Sequence, residues 1–77
     1  MLFLIEYNRH RGEIVNLRTF ADSERRTAES SRLTLELELN RQAIEHEVVL
    51  LEAIDEAALR RTHRRYFETL GDLARAS

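Results

Sequence analysis

The sequence contains no cysteine, and only two of its 77 residues are glycine. Without cysteine the chain forms neither a disulfide bond nor a thiolate metal site, and three histidines are too few to predict a structural zinc ion. The isolated Gly12 and Gly71 do not provide a glycine-rich loop that cradles phosphate groups. We therefore expect no metal and no other cofactor.

Lysine is also absent, so all twelve basic residues are arginine. The planar guanidinium of arginine suits protein interfaces and anions, but we favour codon usage in a GC-rich, bacterial genome as the explanation. The formal net charge is −2, which provides no overall attraction to nucleic acid or to a membrane surface.

Long apolar runs are missing as well. Nothing approaches the ~20 apolar residues that a membrane helix needs. The N-terminal apolar run has no basic residue before it and ends at Glu6, which is too short for the core of a signal peptide. These features predict a cytoplasmic protein without a membrane partner.

Two short runs, residues 2–5 and 48–51, are apolar at every position. A strand directs alternate side chains to opposite faces, so each run needs cover on both sides of a sheet. A chain of this length buries only about 60% of the surface that its unfolded form exposes. One chain therefore has more apolar surface than it can cover by itself. We predict that a second copy covers the remainder in a homodimer, with a different protein as the alternative partner.

Residue patterns predict five elements. We expect strands over residues 2–8, 13–20 and 46–53, a helix from residues 21–24 to about residue 43, and a last helix over 56–70. Residues 33–39 alternate strictly between apolar and polar, which is typical of a strand. Because leucine and glutamate favour helices and no turn signal precedes this stretch, we predict a helix there too.

The predicted fold is α+β with the order ββαβα. A right-handed crossover places the third strand parallel to the second, so the apolar first strand lies between them in an antiparallel sheet of order 2-1-3. We expect both helices to pack mainly on one face of this sheet. Residues 1–71 form one domain, which ends at Gly71, and residues 72–77 form a frayed tail.

The long helix carries two apolar stripes on nearly opposite sides. One of them packs on the sheet, and the other packs against the last helix or forms a subunit interface. The first stripe contains Ala28, Leu35, Leu39 and Ala43, and the second, our candidate interface, contains Leu33, Leu37 and Ile44.

Charge is segregated towards the C-terminus. Residues 57–77 carry five arginines against two acids, and four of these arginines, Arg60, Arg61, Arg64 and Arg65, fall opposite the apolar side of the last helix. A solvated face is the interpretation that we favour, followed by a contact with another protein. An anion or nucleic-acid site comes third.

His63 falls on the apolar side of the same predicted helix, beside Leu59, Tyr66 and Leu70. A buried imidazole there could act as a base or a pH switch, although a hydrogen-bonded core residue is the more frequent outcome. His46 begins a partial HExxH pattern, but Leu50 stands where the second histidine is required, so no metal site is predicted.

No serine has a histidine within predictable reach, and no two carboxylates are paired in an apolar setting. We therefore expect a small non-catalytic interaction or assembly module. The alternative is binding of a nucleic acid or a phosphorylated ligand through the C-terminal arginines, and an enzyme with His63 in its site ranks third.

Overall fold

A computed structural model describes residues 1–68 of the protein. Its three strands are β1 (Leu2–Asn8), β2 (Glu13–Phe20) and β3 (Glu47–Glu52). Its two helices are α1 (Arg25–Arg41) and α2 (Glu56–Thr62), and short 3₁₀ turns lie at Asp22–Glu24 and Arg64–Tyr66. The predicted α+β class and ββαβα order are confirmed.

The strands form one antiparallel sheet of order β2-β1-β3, as predicted. Strand β1 lies in the centre because its side chains are apolar on both faces and its backbone pairs along both edges. The hairpin between β1 and β2 closes at Gly12, which adopts a φ of 65° and donates its N–H to the Asn8 carbonyl at 2.8 Å. His10 lies at the exposed tip of this turn.

Each face of the sheet has its own helix. On one face, Phe3, Ile5 and Tyr7 of β1 pack with Leu59 of α2 and with Tyr66. On the other face, a second cluster contains Leu2, Leu4, Phe20 and Ala28 of α1. The prediction that both helices pack mainly on one face is therefore wrong. Both alternating sets of β1 side chains are mainly apolar, and the chain covers each set with a different helix.

Helix α1 includes residues 33–39 without interruption, so the helical prediction for this stretch is confirmed. Ala28 and Leu39 are buried against the sheet. The helix ends before Ala43, which adopts a φ of 56°, and the N–H of Ile44 then closes the turn on the Leu39 carbonyl at 2.9 Å.

Helix α2 is shorter than predicted. Asp55 begins it, as expected, by accepting a hydrogen bond from the Ala58 N–H at 2.8 Å. The backbone leaves helical geometry at His63, and the following 3₁₀ turn directs Tyr66 into the core. The predicted stop at Gly71 and the tail over 72–77 lie outside the described residues. Within residues 1–68, no helix combines the length and the apolar character that crossing a bilayer requires.

Candidate functional site

A cluster of polar and aromatic side chains surrounds Glu47 at the hairpin end of the sheet. The Glu47 carboxylate accepts hydrogen bonds from Arg9 Nε at 2.9 Å and from Arg65 Nη2 at 2.8 Å, and it also accepts one from the Tyr66 hydroxyl. The Arg65 guanidinium stacks on the Tyr66 ring, 4.6 Å from its centroid. Arg65, one of the four arginines considered as a candidate anion site, is therefore held in a contact within the protein.

Contacts and burial within this cluster shift the pKa values of Glu47 and Tyr66. The Tyr66 hydroxyl, followed by Arg65, holds the pKa of Glu47 below its ordinary value. Burial, followed by the Glu47 carboxylate, raises the pKa of Tyr66. Tyr7 packs edge-on against Tyr66, with 5.1 Å between ring centroids. The cluster joins three chain segments and is a structural feature that the sequence analysis missed, because its members are brought together only by the fold.

Two more of the predicted arginines form short-range pairs. Arg60 lies 3.7 Å from Glu56 and stacks on Phe67, with 4.5 Å between the guanidinium carbon and the ring centroid. Arg64 lies 2.7 Å from Glu68. Such exposed pairs contribute about 0–1 kcal/mol each, yet they place a carboxylate where an anionic ligand would approach.

Arg61 forms no ion pair with any of residues 1–68. It contributes to a cleft of about 270 Å³ lined by Arg60, Arg61, Arg64, Phe67 and Glu68. The structure thus brings three of the four predicted arginines around one cleft, while Arg65 lies in the Glu47 cluster. The negative charge of Glu68 weakens this cleft as an anion site.

His63 does not occupy the position predicted for it. It caps the end of α2, where its N–H donates to the Leu59 carbonyl at 2.9 Å. Its ring is only half-buried, and it lies 6.5 Å from the Tyr66 ring at a tilted angle. The expected central place in a continuous helix is wrong because the helix ends there.

A buried polar pair lies on the α1 face of the sheet. His46 Nδ1 is 2.6 Å from Glu6 Oε2, and both side chains are largely shielded from solvent. Glu6 is the one charged residue within the buried stretch of β1. Glu6 within an apolar strand was the sequence signal for this pair, because a buried carboxylate needs a polar partner. The sheet register then places residue 46 close to Glu6.

The candidate interface residues lie at two places. Leu33 and Leu37 are 56% and 60% exposed on the outer side of α1. Ile44 lies beyond the helix end and lines a separate groove of about 280 Å³, which we call the Ile44 groove. The Ile44 groove is formed by Glu36, Leu39, Asn40, Ile44, His46 and Val48.

Strand β3 forms one edge of the sheet. Its four apolar residues, 48–51, are only partly buried although a helix covers each face. Two residues after the end of the strand, Ile54 is 81% exposed. An apolar edge of this kind is a template for pairing with another strand.

A second groove, of about 410 Å³, lies between β2 and α1, and we call it the β2–α1 groove. Its lining contains two arginines and four hydroxyl side chains and no carboxylate: Arg18, Arg26, Thr27, Ser30, Ser31 and Thr34. Neither arginine forms an ion pair within the described part of the chain.

Among residues 1–68, no three histidine, cysteine, aspartate or glutamate side chains are close enough to hold a metal ion together. The chain matches no protein family model, no curated protein and no solved structure. The geometry of the described residues is therefore the basis for assigning a function.

Proposed function

We propose that the protein is a small non-catalytic interaction and assembly module that acts as a homodimer. The observation that carries this proposal is the β3 edge, where four consecutive apolar residues stay only partly buried after both helices have packed. A helix covers each face of the sheet, so the proposed contact does not use a bare sheet face.

Further apolar surface supports self-association. Leu33 and Leu37 expose more than half of their side-chain surface on α1, and Ile54 exposes still more beside β3. Exposed apolar side chains of this kind favour a protein contact, and a second copy of the chain is the simplest partner.

The arrangement of charge supports a role without catalysis. Glu47 and Glu38 each lie within 3 Å of an arginine. The Tyr66 hydroxyl and Arg65 lower the pKa of Glu47, and Arg41 and Gln42 lower the pKa of Glu38. Carboxylates fixed by guanidinium groups favour the ionised form, so they are poorly suited to donate or accept protons near neutral pH.

The mass in solution tests the proposal. Light scattering during size-exclusion chromatography should give about twice the single-chain mass of 9.1 kDa. Arg32→Gln, which changes an exposed residue of α1 that lies 3.8 Å from Glu36, serves as a control and should leave the mass unchanged. A single-chain mass at all accessible concentrations, from a folded protein, would overturn the proposal.

The β2–α1 groove favours a second candidate function, binding of a small phosphorylated ligand. Two guanidinium groups and four hydroxyls without a carboxylate provide charge-assisted and neutral donors to phosphate oxygens. This groove fits an anion better than the C-terminal cleft, because Glu68 lines that cleft.

Isothermal titration with inorganic pyrophosphate separates the two anion sites. Arg18→Gln combined with Arg26→Gln should weaken binding by at least about tenfold, as expected for the loss of one charged hydrogen bond. The matched variant Arg61→Gln with Arg64→Gln should have little effect. The reverse result would assign binding to the C-terminal arginines, and no binding by the parent protein would remove this second function.

A further inference from the structure

We infer that two copies of the chain join through their β3 edges, in antiparallel register centred on Leu50, and merge two three-stranded sheets into one continuous sheet of six strands. This inference rests on the proposed homodimer and identifies the surface that forms it. It assigns the primary contact to backbone pairing of β3 and not to the outer stripe of α1.

The pair between Met1 and Ala53, just after β3, shows which β3 residues direct their backbone groups towards β1. Met1 and Ala53 exchange two backbone hydrogen bonds, of 3.1 and 2.9 Å. In an antiparallel ladder such pairs alternate with pairs that form no hydrogen bonds. The odd-numbered residues of β3 therefore direct their N–H and C=O groups to β1, and Val48, Leu50 and Glu52 direct theirs outward.

These three residues define one register. No backbone hydrogen bond joins their outward groups to any of residues 1–68. A two-fold axis through Leu50, perpendicular to the sheet, pairs Leu50 with Leu50 of the partner subunit and Val48 with Glu52 of the partner subunit. Each outward residue of β3 is then used, giving three pairs of two hydrogen bonds each.

The two edges of the sheet differ in their protection against such pairing. Edge β2 carries a register shift opposite Glu6 and Tyr7, and it presents Asn16 and Arg18 on one of its faces. Bulges and charges of this kind discourage edge pairing. Edge β3 has neither a bulge nor an unpaired charge, since Glu47 and Glu52 at its ends are each bound by an arginine.

The same register brings Ile54 of one copy close to the Ile44 groove of the other, although the two are far apart within one chain. Ile54 lies just beyond one end of β3, and the Ile44 groove lies at the other end. In the proposed register residue 54 stands opposite residue 46 of the partner subunit, which lines that groove. Ile54 lines a surface with Asp22, in the turn before α1, and with Glu52, so it lies on the α1 side of the sheet, as the groove does. This self-complementarity favours a second copy over an unrelated extended segment.

Burial of β3 would also be completed on both faces. The two-fold axis keeps both α1 helices on one side of the joined sheet and both α2 helices on the other. The partly buried residues 48–51 would then lie inside a six-stranded sheet instead of at its edge. A larger sheet covered on both faces is the environment that such an apolar strand favours.

Single cysteines test the register directly, because the natural chain has none. Leu50→Cys places two thiols across a hydrogen-bonded pair with Cα atoms about 5.5 Å apart, within the range for a disulfide. Thr19→Cys on edge β2 and Leu37→Cys on α1 are the matched controls. At about 10 µM chain under mild oxidation, the Leu50→Cys variant should form covalent dimers about a hundred times faster than either control, given a millimolar effective concentration.

The outcomes separate this inference from the proposed function. Faster crosslinking through Leu37→Cys, with a dimeric parent, would retain the homodimer and overturn the β3 edge as its interface. A monomeric parent in light scattering, with slow crosslinking at every position, would overturn both. Equal crosslinking through Leu50→Cys and Thr19→Cys would indicate random collision and would also overturn the inference.

If Leu50→Cys fails to fold, two proline variants test whether the β3 edges pair. Val48→Pro and Thr19→Pro each remove an N–H that points away from β1, at opposite edges of the sheet. Val48→Pro should raise the dissociation constant of the dimer at least about tenfold, whereas Thr19→Pro should leave it unchanged. Equal effects of both prolines on association would contradict pairing through β3.

Discussion

At the residue scale, Glu47 connects three separate parts of the fold. It belongs to β3, Arg9 follows β1, and Arg65 and Tyr66 belong to the 3₁₀ turn after α2. Hydrogen bonds to a charged group contribute about 1.5–3 kcal/mol each when they are well shielded, more than exposed pairs such as Arg11–Glu13. We therefore expect this carboxylate to dominate the pH dependence of stability.

Tyr66→Phe should lower the free energy of unfolding by about 1.5–3 kcal/mol at pH 7, because Glu47 loses a hydroxyl donor. The pKa of Glu47 is lowered in the folded protein, so its stabilisation is present above the ordinary glutamate value of about 4.3 and is lost as the pH falls through the folded pKa. The gap between parent and variant in urea titrations should shrink towards pH 3. An equal gap at every pH would show that packing causes it, and Glu13→Gln is the exposed control.

The Glu6–His46 pair is a second feature at this scale, and it should behave cooperatively. His46→Leu leaves the buried Glu6 carboxyl without its hydrogen-bonded partner, which should cost about 1–3 kcal/mol. Adding Glu6→Leu should recover part of that loss, because no polar group is then left buried. A double-mutant cycle by urea unfolding measures the coupling, and additive losses would contradict a direct interaction.

At the element scale, each helix stabilises a different face of the sheet, and its inner and outer residues should respond differently. Leu59→Ala removes a fully buried side chain from the α2 face and should cost about 2–5 kcal/mol. Leu33→Ala on the outer side of α1 should change the unfolding of the dilute protein by less than about 0.5 kcal/mol. Denaturant unfolding well below the dissociation constant measures both, and comparable losses would contradict the burial pattern.

The element order was predictable because local signals agree. Apolar runs indicated β1 and β3, Gly12 indicated the hairpin turn, and Asp55 indicated the start of α2. The strand order followed from the crossover rule and from β1 being the most apolar strand. For residues 33–39, helix propensity predicted the helix that is found, whereas the alternating pattern alone would have predicted a strand.

Local signals of this kind did not predict which face of the sheet each helix covers, and they did not predict the polar clusters. Nothing local determines which side of the sheet a helix covers, and only the packing of Ala28 and Leu59 on opposite faces reveals it. The end of α2 at His63 has no glycine or proline signal, and it places Tyr66 where it can reach Tyr7 and Glu47. Contacts between residues 18 or 40 positions apart arise from the tertiary fold.

At the scale of the whole molecule, the described chain is a thin sheet with one helix on each side and one apolar edge. Edge strands in natural proteins are normally short, charged, bulged or covered. Edge β2 has a register shift and the charge of Arg18, which is unpaired within residues 1–68, whereas the charges of β3 are paired and its register is regular, so we propose that assembly uses the β3 edge. In the proposed dimer, pairing of the two β3 edges would stop at two copies, because the β2 edge is protected against further pairing.

A dimer of this kind should couple unfolding to dissociation, so its Tm should rise with protein concentration. Each tenfold increase in concentration adds about 1.4 kcal/mol, which corresponds to about 3–6 °C for two chains of this size. Val48→Pro should flatten this dependence, because it removes an outward N–H of β3, whereas Thr19→Pro should preserve it. Differential scanning calorimetry over a hundredfold concentration range makes the comparison. A Tm that is independent of concentration in the parent protein would show that each chain folds alone and that the β3 edge does not pair.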